Sequence, residues 1–135
     1  MSEQEIHDIC KKYRIENYSI NPDGSIDVDG SVYLSGKGLK SIPVKFNKVD
    51  GGFYCNNNNL TSLERFPKQV SGNINLGSNQ LTSLENSPIE LGQYFYCHKN
   101  PLKSLVGYNL SYDKLVCDDK EKLVRKNKLK LLKDF

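Results

Sequence analysis

The sequence FYCNNNNL, residues 53–60, is followed 21 residues later by INLGSNQL, which begins at Ile74, and again by FYCHKNPL, which begins at Phe95. All three segments fit the pattern apolar-x-apolar-x-x-Asn-x-Leu. A constant step of this length is typical of a solenoid, in which each repeat forms one turn that packs against its neighbours. The repeat therefore predicts a coil built from short, stacked strands.

The same step extends beyond these three segments. Four leucines begin matching tetrapeptides at intervals of 21 residues: Leu39, Leu60, Leu81 and Leu102. Weaker copies of the strand pattern, VYLSGKGL from Val32 and LVCDDKEK from Leu115, stand at the two ends, where the repeats of a solenoid are expected to be atypical. We expect the repeats to occupy residues 31–117 and to form a short parallel sheet of about five strands.

Alternation within each strand predicts which side chains enter the core. The interior pairs are Val32 and Leu34, Phe53 and Cys55, Ile74 and Leu76, and Phe95 and Cys97. The chain that returns to the next strand is too short for a full helix, and Pro43, Pro67 and Pro88 also disfavour one. We therefore expect an irregular, extended convex side, with three apolar residues pointing inward: Val49, Val70 and Leu91.

With Leu, Asn and Cys in these columns, the chain resembles the leucine-rich-repeat family. The runs NPDGSIDVDGSVYLSGKGL, from Asn21, and NNLTSLE, from Asn58, are similar to small leucine-rich-repeat proteins of tailed bacteriophages and to short-repeat bacterial members. The resemblance covers about residues 18–117. It implies a leucine-rich-repeat solenoid with an internal ladder of three asparagines: Asn58, Asn79 and Asn100. The common property of that family is binding, not one chemistry.

The segment 1–30 is predicted to cap the first turn. Ser2 can cap a helix whose apolar residues share one face at helical spacing: Ile6, Ile9, Cys10 and Tyr13. Two strands, Tyr18–Ile20 and Ser25–Val28, follow and are joined by the turn Asn21–Gly24. In this hairpin we expect Ile26 and Val28 to be buried and Asp27 and Asp29 to be in solvent.

The segment 118–135 is predicted to be a basic amphipathic helix that caps the last turn. It begins at Asp118 or Asp119, and its inward face carries Leu123, Val124, Asn127, Leu131 and Leu132. The formal net charge of +3 lies entirely after Cys117, where seven basic residues stand against four acidic ones. Such a helix can be a solvated cap, or it can contact phosphate or an acidic partner.

Several kinds of function are disfavoured by the sequence. The run DGSIDVDG matches part of a calcium loop but lacks ligands at the first and twelfth positions, Ser25 and Gly36. Cys55 and Cys97 stand two turns apart, too far for a disulfide, and Cys117 stacks beside Cys97 in the core. His7 and His98 have no recognisable catalytic or metal-binding partner. We therefore expect a protein that is not an enzyme and that uses no cofactor or metal.

The expected location follows from the chain start and from overall hydropathy. There is no run of about 18 apolar residues, and the start MSEQEIHDIC is acidic where a signal peptide would be basic. We expect a cytoplasmic protein that does not bind a membrane, in a host cell if the phage resemblance holds. Its four cysteines are then expected to be reduced.

The outward face of the predicted strands carries the candidate site. Its centre reads Tyr33, Tyr54, Asn75 and Tyr96, with Asn73, Tyr94, Asn56 and His98 beside it. Tyrosine is enriched in binding hot spots, and few charges surround it here. These eight residues predict a concave protein-binding face; the phage resemblance implies a host enzyme or defence component as the partner. There are four alternatives. The tyrosines can stack only to stabilise the sheet, or they can bind a glycan. The basic helix can bind nucleic acid, or the protein can self-associate.

Overall fold

Two five-stranded sheets and one thin core between them make up most of the chain. The computed structural model describes residues 1–133 as a parallel β-solenoid of about four turns with a helix at each end. In chain order the elements are α1 (Glu3–Lys12), β1 (Tyr18–Ile20), β2 (Ile26–Val28), β3 (Val32–Tyr33), β4 (Phe46–Val49), β5 (Phe53–Tyr54), β6 (Gln69–Val70), β7 (Ile74–Asn75), β8 (Glu90–Leu91), β9 (Phe95–Tyr96), a 3₁₀ turn (Tyr112–Lys114), β10 (Leu115–Val116) and α2 (Lys120–Lys133).

The repeat sheet is formed by the strands that the periodicity predicts. Its order is β10-β9-β7-β5-β3, and every neighbouring pair is parallel. The inward residues Phe53, Ile74 and Phe95 face one another in register and are completely buried. The predicted five-stranded parallel sheet is therefore confirmed, including the weak terminal copies that form β3 and β10.

The outer sheet corrects the prediction of an irregular convex side. Its order is β1-β2-β4-β6-β8, and all of its pairs are parallel except the hairpin β1-β2. Val49, Val70 and Leu91 stand in register and are buried, as predicted. The strands form because successive turns satisfy one another's backbone groups, as where the N–H of Lys68 donates to the carbonyl oxygen of Asn47 over 2.8 Å.

Buried asparagines join each turn of the repeat sheet to the preceding one. Asn79 is 2% exposed, and its Oδ1 accepts from the N–H of Leu60 over 3.0 Å. Its Nδ2 donates to the carbonyl oxygens of Cys55 and Leu76, each over 3.0 Å. Asn58 and Asn100 make the corresponding bonds in their own turns. The three side chains therefore form the internal ladder that the resemblance implies.

The amino-terminal segment packs against the first turn of the solenoid. The Ser2 hydroxyl accepts from the N–H of Glu5, and the Glu5 side chain accepts from the N–H of Ser2. This reciprocal pair of bonds caps the amino-terminal end of α1. The hairpin buries Ile26 and Val28 as predicted. Asp27 differs from its prediction: it is half-buried because the amides of Asn21 and Asn47 donate to its carboxylate over 3.1 and 2.9 Å.

The carboxyl-terminal helix covers the last turn with only its first half. Leu123 is buried and Val124 packs against the core, as predicted. The prediction that Leu131 and Leu132 also seal the core is wrong, since they are 54% and 67% exposed. The later turns of the helix do not close against the loop 105–112, and Leu131 lines an open groove there. The last two positions of the predicted cap 118–135 lie outside the described residues, and no helix within residues 1–133 is long and apolar enough to cross a membrane.

Candidate functional site

The outward side of the repeat sheet brings the predicted site residues onto one surface. We call this surface the tyrosine face; it consists of Tyr33, Tyr54, Asn56, Asn73, Asn75, Tyr94, Tyr96 and His98. In-register pairing places Tyr33 beside Tyr54, Tyr54 beside Asn75, and Asn75 beside Tyr96. The strand spacing of about 4.8 Å makes this a continuous column across four strands.

The tyrosine rings are arranged in two groups along the face. Tyr33 and Tyr54 stack with their ring centroids 5.3 Å apart and their planes 8° from parallel. Tyr94 and Tyr96 form a tilted pair with a centroid distance of 6.1 Å. Tyr33 is 67% exposed and Tyr94 is 50% exposed. Much of the ring surface of Tyr33, at the first strand of the column, and of Tyr94, beside the column, is therefore available for contact.

The aromatic column is interrupted at the third strand of the repeat. Asn75 stands between Tyr54 and Tyr96, and its outward neighbours on the same strand segment are Asn73 and Gly77. These three residues have smaller side chains than the tyrosines on the strands beside them. The result is a notch with a polar floor between two aromatic walls, whose backbones are about 9.6 Å apart by strand spacing.

Two of the asparagine amides in this notch have a fixed orientation. The Oδ1 of Asn73 accepts from the N–H of Tyr94 over 2.9 Å, and the Oδ1 of Asn75 accepts from the N–H of Gly77 over 3.0 Å. Because a backbone N–H can only donate, the oxygen is the bonded atom in both side chains. Their NH₂ groups donate to no other described residue and are left as hydrogen-bond donors for a ligand.

The edge of the face that carries His98 holds a charged partner that was not predicted. The Nδ1 of His98 lies 3.0 Å from the Oδ1 of Asp118, and the other Asp118 oxygen accepts from the N–H of Lys99 over 2.8 Å. The bond from Lys99 and then the contact with His98 hold the pKa of Asp118 below its ordinary value of 3.8. The sequence analysis did not include this contact between His98 and Asp118.

A signal for this pair was present in the sequence. Leu115 pairs with Phe95, so the last repeat is 20 residues long, one shorter than those before it. The shortened step aligns Asp118 with His98 and Val116 with Tyr96. Val116, half-buried in the outward column, extends the tyrosine face by one apolar residue that the 21-residue phase did not include.

The inward side of the same strands carries the cysteines. Cys55 is completely buried, and this raises the pKa of its thiol to about 12. Cys97 and Cys117 directly follow the paired strands β9 and β10 and stand side by side in the inward column. The interaction between the two thiols raises the pKa of Cys97 and lowers that of Cys117. The pair lies behind the His98 edge of the tyrosine face, on the core side of the sheet.

The remaining histidine belongs to the amino-terminal helix and not to the repeat sheet. His7, on α1, contacts the hydroxyl of Tyr18 on β1 through its Nδ1. Within residues 1–133, no group of three or more His, Cys, Asp or Glu side chains is placed to hold a metal ion.

Comparison with models of known protein families, with curated proteins and with solved structures finds no match for this chain. The interpretation of the site therefore depends on its own geometry.

Proposed function

We propose that this protein is a non-enzymatic protein-interaction module that binds a folded partner through the tyrosine face. The observation that carries the proposal is the notch at Asn75, which stands between Tyr54 and Tyr96 in the outward column. Aromatic side chains around a small polar centre are typical of protein-binding hot spots, because tyrosine offers a large contact area at a low cost in conformational entropy.

The hydrogen-bond donors in the notch favour a particular kind of contact. Asn73 and Asn75 present NH₂ groups, and carbonyl oxygens of a partner's backbone are abundant acceptors for them. A loop that protrudes from the partner can insert between the aromatic walls and pair its carbonyl oxygens with these amides. The five strands span about 20 Å, which is sufficient for a contact area near the usual 800 Å² per partner.

The resemblance to small leucine-rich-repeat proteins of tailed bacteriophages supports a biological setting for this binding. A phage protein that acts in the host cytoplasm meets host enzymes and host defence proteins as its partners. We extend the proposal to a host protein of this kind, which the module inhibits by covering part of its surface. This extension depends on the resemblance and is separate from the geometry of the notch.

Affinity capture with matched variants tests the proposal. The wild-type protein, the double variant Tyr54→Ala/Tyr96→Ala and the control Gln69→Ala/Glu90→Ala are immobilised, and proteins bound from a host lysate are quantified by mass spectrometry. Gln69 and Glu90 point outward from the outer sheet, so the control alters the opposite surface. We expect one or more proteins to be lost from the tyrosine variant and retained by the control.

Equal recovery of every protein by the two double variants would remove the tyrosine face from consideration. Dependence on salt separates the alternative in which the basic helix binds nucleic acid, because phosphate-driven binding falls steeply as salt rises and a tyrosine-centred interface responds weakly. Binding of an oligosaccharide by the wild type but not by the tyrosine variant would instead favour the glycan alternative.

A further inference from the structure

An apolar groove lies at the carboxyl-terminal end of the solenoid, on a different part of the surface from the tyrosine face. It runs between the later turns of α2 and the loop 105–112 and has a volume of about 510 Å³. Its apolar lining consists of Leu105, Val106, Tyr108, Leu110, Tyr112 and Leu131. A space of this size accommodates several side chains of a peptide.

The walls of the groove are held in place by contacts within the chain. The hydroxyl of Tyr108 donates to the carbonyl oxygen of Ser111 over 2.7 Å, and the amide of Asn127 donates to the hydroxyl of Tyr112 over 2.6 Å. The rings of Tyr108 and Tyr112 stack with a centroid distance of 6.0 Å. The polar ends of both tyrosines are therefore satisfied, and the side chains that remain open to the groove are mainly apolar.

One leucine of α2 is exposed beside this groove instead of being buried. Leu131 is 54% exposed and lines the groove, and Lys130 stands next to it at the rim. Covering Leu131 with an apolar side chain of a partner would remove its exposed area from water, a favourable change of the kind that drives docking. The groove and Leu131 together thus define an apolar anchor point.

The charge of the surrounding surface indicates what kind of partner fits. The helix α2 carries seven Lys and Arg residues and a single acidic residue, Glu121. None of the described residues that line the groove is acidic. A second copy of this chain would bring a helix of the same charge and be repelled, whereas an acidic segment would be attracted.

We infer that this groove binds an acidic amphipathic segment of a partner protein, with apolar side chains against Leu131 and Tyr112 and carboxylates beside the lysines of α2. A nucleic acid supplies negative charge but no side chains for the apolar lining. A membrane surface supplies both, but it cannot enter a groove that lies between a helix and a loop. A peptide satisfies the shape and the charge together.

A panel of fluorescein-labelled twelve-residue peptides tests the inference by fluorescence anisotropy on the full-length protein. In each peptide, glutamates lie on one helical face and leucine, isoleucine, phenylalanine or tyrosine on the other. We expect saturable binding of one or more peptides, and Leu131→Ser is expected to weaken it about tenfold because an apolar contact is lost. A second panel with lysine in place of glutamate is expected not to bind.

The chain offers a closely matched control for the leucine. Leu129 is also 54% exposed, but it lies about 200° from Leu131 around the helix and does not line the groove. Leu129→Ser is therefore expected to bind the peptides as the wild type does. Lys130→Gln and Lys128→Gln form a second matched pair, in which the change at the rim is expected to weaken binding more.

Three outcomes would overturn the inference. These are the absence of saturable binding by every acidic peptide, equal effects of the two leucine substitutions, and preferential binding of double-stranded DNA or phosphatidylserine vesicles with no response to Leu131→Ser. Circular dichroism of each variant checks that the fold is retained. Since Leu129 and Leu131 are both largely exposed, we expect the melting temperatures of their variants to match that of the wild type within about 2 °C.

Discussion

The rings of Tyr33 and Tyr54 lie face to face across two neighbouring strands, with their centroids 5.3 Å apart. Cross-strand aromatic pairs stabilise a sheet as well as offering a surface for contact. A loss of binding after either tyrosine is replaced is therefore informative only when the effect on stability is also measured.

A double-mutant cycle measures the stability contributed by this stack. We expect Tyr33→Ala and Tyr54→Ala to be coupled by about 0.5 to 1 kcal/mol in the free energy of unfolding, because each substitution removes the same ring contact. Urea denaturation of the wild type, both single variants and the double variant gives the coupling energy. Tyr33→Ala combined with Tyr96→Ala is the control, since these residues are not neighbours in the column and their effects should add.

The asparagine ladder is expected to be essential for stability. Replacing Asn79 with alanine leaves the N–H of Leu60 without its partner in a buried site. The carbonyl oxygens of Cys55 and Leu76 each lose one of their two asparagine donors and keep the bonds from Asn58 and Asn100. We expect a loss of about 2 to 4 kcal/mol in the free energy of unfolding, measured by urea denaturation. The control is Asn75→Ala, on the outward side of the same strand segment, for which about 1 kcal/mol or less is expected. Equal losses in the two variants would contradict the assignment of Asn79 to the interior.

Low pH is expected to reduce the stability that Asp118, which follows β10, contributes through its contacts with His98 and Lys99, which follow β9. Because the folded-state pKa of Asp118 is lowered, its stabilising contribution is present above its ordinary pKa of 3.8 and is lost as the pH falls through the lower folded value. Thermal unfolding is compared for wild type and Asp118→Asn at pH 6 and at about pH 2.5. The wild type should be the more stable at pH 6, and the difference should shrink in acid.

A neighbouring residue provides the control for this pH dependence. Asp119 follows directly, and its carboxylate accepts no hydrogen bond from another described residue. The difference in stability between wild type and Asp119→Asn at pH 6 should therefore be smaller than that between wild type and Asp118→Asn. If Asp118→Asn behaved in the same way as Asp119→Asn, the bonds from Lys99 and His98 to Asp118 would not contribute measurably to stability.

The interior cysteines are expected to differ in their response to oxidation. Diamide should join Cys97 and Cys117, because in-register parallel strands place their backbones about 4.8 Å apart, within the range that a disulfide spans. The two thiols lose two protons and two electrons, and diamide is reduced to its hydrazine. Tryptic peptide mapping identifies the crosslink.

Two variants show whether the strand pairing determines this crosslink. Cys117→Ser should abolish it, while Cys55→Ser should leave it unchanged, since Leu76 lies between Cys55 and Cys97 in the inward column. A mapped bond between Cys55 and Cys97 would show that the inward register is wrong.

The repeat sheet was predictable because its strands carry a strong periodic signal. Two inward apolar positions, an asparagine and a leucine recur in each turn, so the burial of Phe53, Ile74 and Phe95 follows directly from the phase. The outer sheet carries a weaker signal. Strands β6 and β8 each bury one residue, Val70 and Leu91, and one apolar residue without alternation does not distinguish a strand from an irregular extended segment.

Two features that the sequence did not predict depend on where the repeats and the core end. The periodicity of α2 predicts that Leu123 and Leu131 share an inward face, but it does not show that only the first half of the helix packs against the core. The contact between His98 and Asp118 depends on a repeat that is one residue shorter than the others. Both differences arise at the last turn, where the solenoid stops and the pattern no longer constrains the chain.

The ladder of asparagines also makes the central turns interchangeable units. Asn58, Asn79 and Asn100 each bond to the turn before them through the same atoms, so no turn requires a particular neighbour. Duplicating one unit of 21 residues would lengthen the sheet by about 4.8 Å and leave both ends as they are. The outward side chains take no part in the ladder. The length of the tyrosine face, set by the number of turns, can therefore evolve independently of the side chains that it presents.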